Sequence, residues 1–256
     1  MTILIRCAFS GAAFFGTQKQ PQKRTVQGDF EEALSIIHGK KIKTVISSRL
    51  DGKVNALDFA LSYEVPKPPF SLSHLHYFLR RTLKKDIFVR SVEEREESFS
   101  ARFSCLKKTY LYQIQNGKEK NPLLNSFTFS PIHPLKEEKL LEAGRLFVGQ
   151  HDFRQFATPE KEDENTILTV DSFEMEKVGD ILQIRFQGKN FLRYQVRFLV
   201  GSMLAHEKGI LSIEDIETLL SGKAIPFRKI KAEPQGLTLE KLFFDDRPNP
   251  QKENLL

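Results

Sequence analysis

Residues 48–56 hold the side chains of this sequence whose types and spacing best suit chemistry, because Arg49 and Asp51 stand two residues apart there. A carboxylate at a loop tip beside a guanidinium can act as a nucleophile, as a base or as an electrostatic stabiliser. The pair Asp51-Gly52 between two strands is also a strong signal for a hairpin turn. Five residues separate it from the regular alternation that begins at Asp58, which a tight hairpin does not need. The loop is wide enough to present a side chain, and both interpretations stay open.

A second candidate lies in a predicted helix over residues 191–206, where Arg193 and Arg197 are four residues apart on one face. Like charges at this spacing repel by roughly a few tenths of a kcal/mol. Apolar residues such as Val196 and Leu199 surround Arg197, so we expect it to be partly buried, where an unpaired charge is costly. The pair favours a carboxylate or phosphate partner. The alternative is two solvated arginines on a surface helix.

A third candidate is the predicted strand over residues 106–115. Alternation places Lys108, Tyr110 and Tyr112 on one face. These side chains could form an aromatic platform for a base beside a phosphate-binding lysine. A strand with two core tyrosines is the commoner alternative.

The sequence contains no signature of a bound cofactor or metal. Six histidines and two cysteines show no metal-ligand spacing, and there is no phosphate-binding glycine loop or dinucleotide fingerprint. We therefore expect chemistry without cofactor or metal. Cys7 and Cys105 are predicted to be reduced thiols of a cytoplasmic protein. No secretory signal is visible, and no apolar run approaches the ~20 residues of a membrane span, so no membrane association is expected.

The net charge of +6 favours a polyanionic partner, although a solvated basic surface would give the same composition. Basic residues recur in clusters, mostly at predicted loops and element ends, where phosphate contacts are commonly made. The clusters are Lys19, Lys23 and Arg24; Lys40, Lys41 and Lys43; Arg80, Arg81, Lys84 and Lys85; Lys107 and Lys108; and Arg228, Lys229 and Lys231.

Hydrophobic periodicity predicts an α+β fold in which hairpins alternate with crossover helices. Predicted strands cover residues 3–8, 42–46, 58–65, 87–92, 106–115, 167–178, 181–187 and 238–243. Predicted helices cover residues 26–38, 71–83, 135–147, 191–206 and 213–220. We divide the chain into an N-terminal subdomain with the Asp51 loop, residues 1–100, a C-terminal subdomain, residues 101–245, and a polar tail, residues 246–256.

Residues 49–56, with the pattern Arg-x-Asp-x-x-Val-x-Ala, resemble the catalytic loop of the tRNA pseudouridine synthase A family. Further segments resemble motifs of that family in the same order along nearly the whole chain. They are Gly16-x-Gln18 and residues 25–27 near the N-terminus; residues 99–104 followed by Lys108, Tyr110 and Tyr112; and residues 149–156, 190–201 and 236–239.

The resemblance implies a fold, a reaction and partners. The fold is two ferredoxin-like subdomains that share a continuous, mostly antiparallel sheet, with helices packed on it and a central basic cleft. The reaction is isomerisation of uridine to pseudouridine in the anticodon stem-loop of tRNA, without metal or small-molecule cofactor. Members of the family act as homodimers.

The resemblance also assigns roles to residues. Asp51 would be the essential carboxylate, kept ionised by Arg197, and Tyr110 would stack on the extruded base. Side chains expected to bind the RNA, order the loop or line the site are Arg49, Arg102, Lys108, Arg193, Gln18 and Asn190.

The chain departs from the family's usual pattern around these residues. The family usually has Gly, Thr, Ala, Gly and His where this chain has Ser48, Leu50, Gly52, Lys53 and Asn55. It also has Trp in place of Thr17, Asp in place of Ser10, and Asn and Pro in place of Arg80 and Lys84. The sequence therefore indicates a divergent member or a paralogue, whose target nucleotide stays open.

Two rival functions remain. One is a non-catalytic RNA-binding paralogue of the same fold. The other is a carboxylate-dependent hydrolase, which would need a second carboxylate near Asp51. Asp58 is the nearest in sequence, and strand alternation places it on the polar face of its strand.

Overall fold

The computed structural model of the chain describes residues 1–66, 70–161 and 163–245, so the predicted polar tail lies outside the described residues. The strands are β1 (Thr2–Phe9), β2 (Val45–Ile46), β3 (Asn55–Glu64), β4 (Ile87–Arg95), β5 (Cys105–Gln115), β6 (Gly149–Asp152), β7 (Ile167–Val178), β8 (Ile181–Gly188) and β9 (Leu237–Phe244). The α-helices are α1 (Val26–His38), α2 (Leu72–Thr82), α3 (Glu137–Arg145), α4 (Gln195–Glu207) and α5 (Ile213–Leu220).

All of these strands join one sheet in the order β4-β1-β3-β9-β5-β8-β7-β6, with β2 added beside β3. Every pairing is antiparallel except that of β3 with β9. The predicted α+β fold with a continuous, mostly antiparallel sheet is confirmed. Because the last strand of the chain lies between β3 and β5, the sheet runs across the predicted boundary at residue 100. The division into two subdomains stays a prediction.

Local side-chain and backbone chemistry fixes the ends of α1 and the start of α5. Thr25 caps α1 by accepting the amide of Gly28, and Gly39 ends it in the left-handed region. Ser212 and Asp215 form a reciprocal capping box at α5. Within the described residues, no helix combines the length and the apolar character needed to cross a membrane.

The seam between β3 and β9 is the junction of the two halves of the sheet. Its backbone register covers only Asn55 with Thr238 and Ala56 with Leu239. Further along, the Asp58 carboxylate accepts the amide of Leu242 at 2.8 Å and a bidentate pair of hydrogen bonds from Arg6. A side chain thus continues the seam after the backbone pairing ends.

The face of β3 that carries Asp58 and Ser62 is buried rather than exposed to solvent. Asp58 is 6% exposed and Ser62 is 3% exposed, because the strand is covered on both faces. The Ser62 hydroxyl accepts the amide of Ala101 at 3.0 Å, and Asp58 is engaged in the seam. Asp58 is therefore held in a structural role, which removes the second carboxylate that the hydrolase interpretation needed.

Two strand predictions also differ from the structure. The strand predicted over residues 42–46 is shorter in the structure, where only β2 forms. Residues 42–44 bond to α1 instead. Ser35 Oγ accepts the amide of Ile42, and Glu31 Oε1 accepts that of Thr44, both at 3.0 Å. The short strand β6 was not predicted. Its four residues carry no alternating pattern and form a strand by pairing with β7.

The predicted start of the fourth helix is wrong as well. α4 begins at Gln195, because Tyr194 adopts a left-handed conformation with φ 64° and the chain cannot be helical before it. Arg193 therefore lies outside the helix, and the predicted same-face pair of Arg193 and Arg197 is not formed within it.

Candidate active site

The loop between β2 and β3, residues 47–54, carries Asp51 and is fixed mainly through its backbone. Thr17 holds the loop at three points: its amide donates to Leu50 O at 3.0 Å, and its hydroxyl donates to Ser48 O at 3.0 Å and accepts the amide of Leu50 at 2.9 Å. The side chain of Thr17 is buried, so these bonds are shielded from water.

Two glycines let the segment before α1 lie directly against this loop. A Cβ on Gly11 would stand 2.2 Å from Val54 O, and one on Gly16, whose φ is 106°, would stand 2.7 Å from Leu50 O. Any side chain at either position would push the loop away. The place of Asp51 thus depends on close backbone contact.

Asn55 fixes the end of the loop. Its Oδ1 accepts the amide of Gly11 at 2.8 Å, and its Nδ2 donates to Ser126 O and Gln235 O at 3.0 Å each. The side chain is 3% exposed. This departure from the family's usual histidine ties together three segments that are far apart in sequence.

Asp51 and Arg197 form an ion pair across the site, as expected from the sequence. Arg197 Nη1 donates to Asp51 Oδ2 at 2.9 Å, and the two side chains are 9% and 23% exposed. Arg197 Nε donates to Ala232 O at 2.8 Å, which orients the guanidinium. Among the described residues, no group donates a hydrogen bond to Asp51 Oδ1, so one carboxylate oxygen is available to a substrate.

The protonation of Asp51 is set by opposing influences. Burial raises the pKa of the Asp51 carboxyl above its usual range. The hydrogen bond and charge of Arg197 lower it, and the nearby charges of Lys231 and Arg193 act in the same direction. Arg197 thus favours the ionised form, as expected, although the balance still leaves the pKa raised.

Tyr110 lies in β5 with 7% of its surface exposed. Its ring meets that of Phe191 edge to face, with centroids 5.1 Å apart. Burial, together with the nearby charge of Asp51, raises the pKa of its phenol, so the hydroxyl stays protonated at neutral pH.

Three of the remaining predicted residues contact other groups around the site. Lys108 Nζ donates to Ser47 O at 3.0 Å, so this lysine helps to order the Asp51 loop, and burial lowers its pKa. Arg49 is half exposed and pairs with Glu160 at 2.6 Å. Arg193 bonds the Tyr194 hydroxyl at 3.0 Å.

Three predicted residues lie apart from this arrangement. Arg102 is exposed and lies over the ring of Phe103 at 5.3 Å. Gln18 and Asn190 are exposed, and neither side chain bonds to another described residue.

Sequence reasoning missed the supporting roles of Thr17, Asn55, Tyr194 and Lys231. Thr17 and Asn55 were visible only as departures from the family pattern. Tyr194 was hidden inside a predicted helix, and Lys231 was one member of a basic cluster.

Potential metal ligands are scattered. The described part of the chain has no group of three or more His, Cys, Asp and Glu side chains placed to hold a metal ion. Cys7 and Cys105 are buried free thiols, and burial raises the pKa of both. Neither cysteine is activated as a nucleophile.

Comparison with known proteins places these residues in a family. Residues 143–245 match a family model described as tRNA pseudouridine synthase. The chain is 37% identical over 240 residues to tRNA pseudouridine synthase A of Aquifex aeolicus, covering 93% of this chain and 98% of that protein. It is 34% identical over 251 residues to the protein of the same name from a Geobacillus species, covering 96% and 100%.

Among solved structures, a chain of a Cbf5-Nop10-Gar1 complex is similar over 78% of this chain and 53% of its own length. The TM-score is 0.35 and the sequence identity is 12%, a likeness too weak to bear on the site.

Proposed function

This chain belongs to the tRNA pseudouridine synthase A family, whose reaction is the isomerisation of uridine to pseudouridine in tRNA, and we propose that Asp51 is the essential carboxylate of that reaction and the anticodon stem-loop its target. The observation that supports Asp51 is its ion pair with Arg197, which occupies one carboxylate oxygen and leaves the other available.

The reaction breaks the N1–C1′ bond of uridine, turns the uracil and rejoins it to C1′ through C5. The base must first leave its stack, which costs on the order of a few kcal/mol. We infer that Tyr110 contacts the extruded base and offsets part of this cost, since stacking on an aromatic ring contributes about 1–3 kcal/mol per base. Its raised pKa keeps the phenol uncharged.

Arg197 has two effects in this scheme. Its charge stabilises the ionised form of Asp51 within a partly buried site. Its second hydrogen bond, to Ala232 O, prevents the guanidinium from turning away when substrate enters. Lys108 and Thr17 keep the loop in register with this arginine.

The homodimer and the cytoplasmic location are likewise proposals. For the homodimer, several large apolar side chains are exposed on residues 122–132, with Leu123 at 83%, Phe127 at 42% and Ile132 at 91%. Clustered exposed apolar side chains are typical of protein–protein contacts. Light scattering of the purified protein measures the mass directly, and a monomer at micromolar concentration would contradict the dimer.

The proposed function is tested with tRNA labelled with tritium at uracil C5. Pseudouridine formation replaces C5–H by a C–C bond, so we expect wild-type protein to release tritium from whole tRNA and from an isolated anticodon stem-loop. A non-catalytic paralogue would bind the same RNA, with an affinity that falls steeply with salt, and release none. Tritium release from whole tRNA but not from the isolated stem-loop would support the proposed reaction and contradict the anticodon stem-loop as its sufficient target.

The rate is expected to depend on pH through Asp51. Because burial raises the pKa of Asp51 and the ionised form is the active one, the rate should be lost as pH falls through that raised pKa. Arg197→Met removes the largest influence that lowers this pKa. The fall in rate at acidic pH should therefore occur at higher pH in this variant than in wild type.

Single-turnover rates measured across the acidic range test this expectation. Lys208→Met, at the far end of α4, is the matched control, and its rate should fall at the same acidic pH as that of wild type. An Arg197→Met profile that differs only in height would show that Arg197 does not act through the ionisation of Asp51.

A further inference from the structure

Tyr194 stands at the start of α4 in a backbone conformation that few tyrosines adopt. Its φ of 64° and ψ of 2° lie in the left-handed region. A non-glycine residue in this conformation is destabilised by about 1–2 kcal/mol, and such strain concentrates at functional sites. The conformation therefore suggests a function for the ring.

Cations surround the ring of Tyr194. Lys231 Nζ lies 3.8 Å from the ring centroid, Arg193 Cζ lies 4.8 Å away and Arg197 Cζ lies 5.7 Å away. Cations within about 6 Å of a ring face are attracted by its quadrupole. The ring holds together charges that would otherwise repel one another.

The cluster has more positive charge than it has carboxylates to balance it. Arg197 is paired with Asp51, whereas neither Lys231 nor Arg193 forms an ion pair with a carboxylate of the described residues. Arg193 instead donates to the neutral hydroxyl of Tyr194 at 3.0 Å. Two cations beside the catalytic carboxylate are thus left with free donors.

Lys231 is fixed by its backbone although its side chain is exposed. The next residue, Ala232, bonds Arg197 twice: Ala232 O accepts from Arg197 Nε at 2.8 Å, and Ala232 N donates to Arg197 O at 3.0 Å. A Cβ on Gly201 would stand 1.9 Å from Ile230 O, so this segment also lies directly against α4. The same arginine that pairs with Asp51 thus sets the position of Lys231.

We propose that Lys231 and Arg193, held by the ring of Tyr194, bind an RNA phosphodiester next to the uridine that reaches Asp51. This inference rests on the proposed function, because it names the part of the RNA substrate that occupies the cluster. A phosphate beside the extruded nucleotide is an anion that must lie close to Asp51 when the base does. Binding it here fixes the sugar relative to the carboxylate.

The test is a double-mutant cycle between protein and RNA, read as the equilibrium dissociation constant for tRNA. One neutral methylphosphonate at a time replaces the phosphate beside each uridine of the tRNA. We expect wild-type protein to lose about 10-fold in affinity at the position that occupies the cluster, as for one charged hydrogen-bonded contact. Lys231→Met should bind unmodified tRNA about 10-fold less tightly and lose nothing more at that position.

Lys208→Met is the matched control, since it removes the same charge from an exposed site at the far end of α4. It should keep both the wild-type affinity and the full effect of the methylphosphonate. Arg193→Met should behave like Lys231→Met. Each of the two cluster variants should also lower the slope of log affinity against log salt by about 0.7–0.9.

If the losses in affinity caused by Lys231→Met and by the methylphosphonate add at every position tested, the proposal is wrong. The activity assay separates this outcome from failure of the proposed function. If wild-type protein releases tritium but no methylphosphonate position is coupled to Lys231, only the phosphate site is refuted. An inactive wild-type protein that shows the coupling refutes the catalytic function and keeps the site.

Discussion

Asp51→Asn is expected to lower the rate of pseudouridine formation on the order of 10⁴-fold, the scale on which an essential carboxylate is lost from an active site. Asparagine keeps the shape of the side chain and an oxygen that can accept from Arg197 Nη1, so the loop should stay in place. It removes the negative charge on which every proposed chemical role of Asp51 depends. Tritium release under single-turnover conditions measures the loss.

Two controls separate chemistry from folding in this variant. Its affinity for tRNA should match that of wild type, because the phosphate-binding cations are untouched. Asp180→Asn makes the same change in the turn between β7 and β8, where asparagine fits equally well, and should keep full activity. Wild-type tritium release by Asp51→Asn would show that the assignment of Asp51 is wrong.

Asp58→Asn is expected to lower the free energy of unfolding by about 2–3 kcal/mol without a change in turnover by the folded protein. Asp58 is 6% exposed and is the side chain that continues the seam between β3 and β9. The loss should be smaller than for a fully buried pair, because the side chain of Arg6 is 29% exposed.

Urea denaturation measures the stability, and tritium release on the same preparation measures turnover. The matched control is Asp171→Asn, which breaks the exposed pair with Lys107 and should cost less than about 1 kcal/mol. A large fall in turnover with unchanged stability would instead make Asp58 a second carboxylate of the active site.

Much of the fold followed from local patterns. The extents of α1, α5, β7 and β8 and the wide loop around Asp51 were predicted, because hydrophobic periodicity and turn residues act over a few positions. The burial of both faces of β3 was not predicted. It depends on segments far from β3 in the sequence, since Asp58 accepts the amide of Leu242 and Ser62 accepts that of Ala101.

The candidate site likewise contains residues that the sequence predicted and residues that it did not. Asp51, Arg197 and Tyr110 were singled out by residue type and spacing and received their roles from the resemblance to family motifs, and the structure pairs Asp51 with Arg197. Lys231 could not be found, because it stands on an irregular segment whose position is set by bonds between Ala232 and Arg197. The left-handed backbone of Tyr194 had no local signal either, since tyrosine has no preference for that region.

The Asp51 loop is held by hydrogen bonds and close contacts to its main chain. The position of the carboxylate is therefore largely independent of the side chains next to it in the loop. Main-chain groups of Ser48, Leu50 and Val54 carry the contacts to Thr17 and Gly11. Substitutions at the outward positions of the loop can therefore accumulate while the carboxylate stays in place. Such a loop permits divergence in which RNA it accepts at little risk to the reaction, and the exposed Lys53 is a departure of that kind, whereas Ser48, Leu50 and Asn55 are buried.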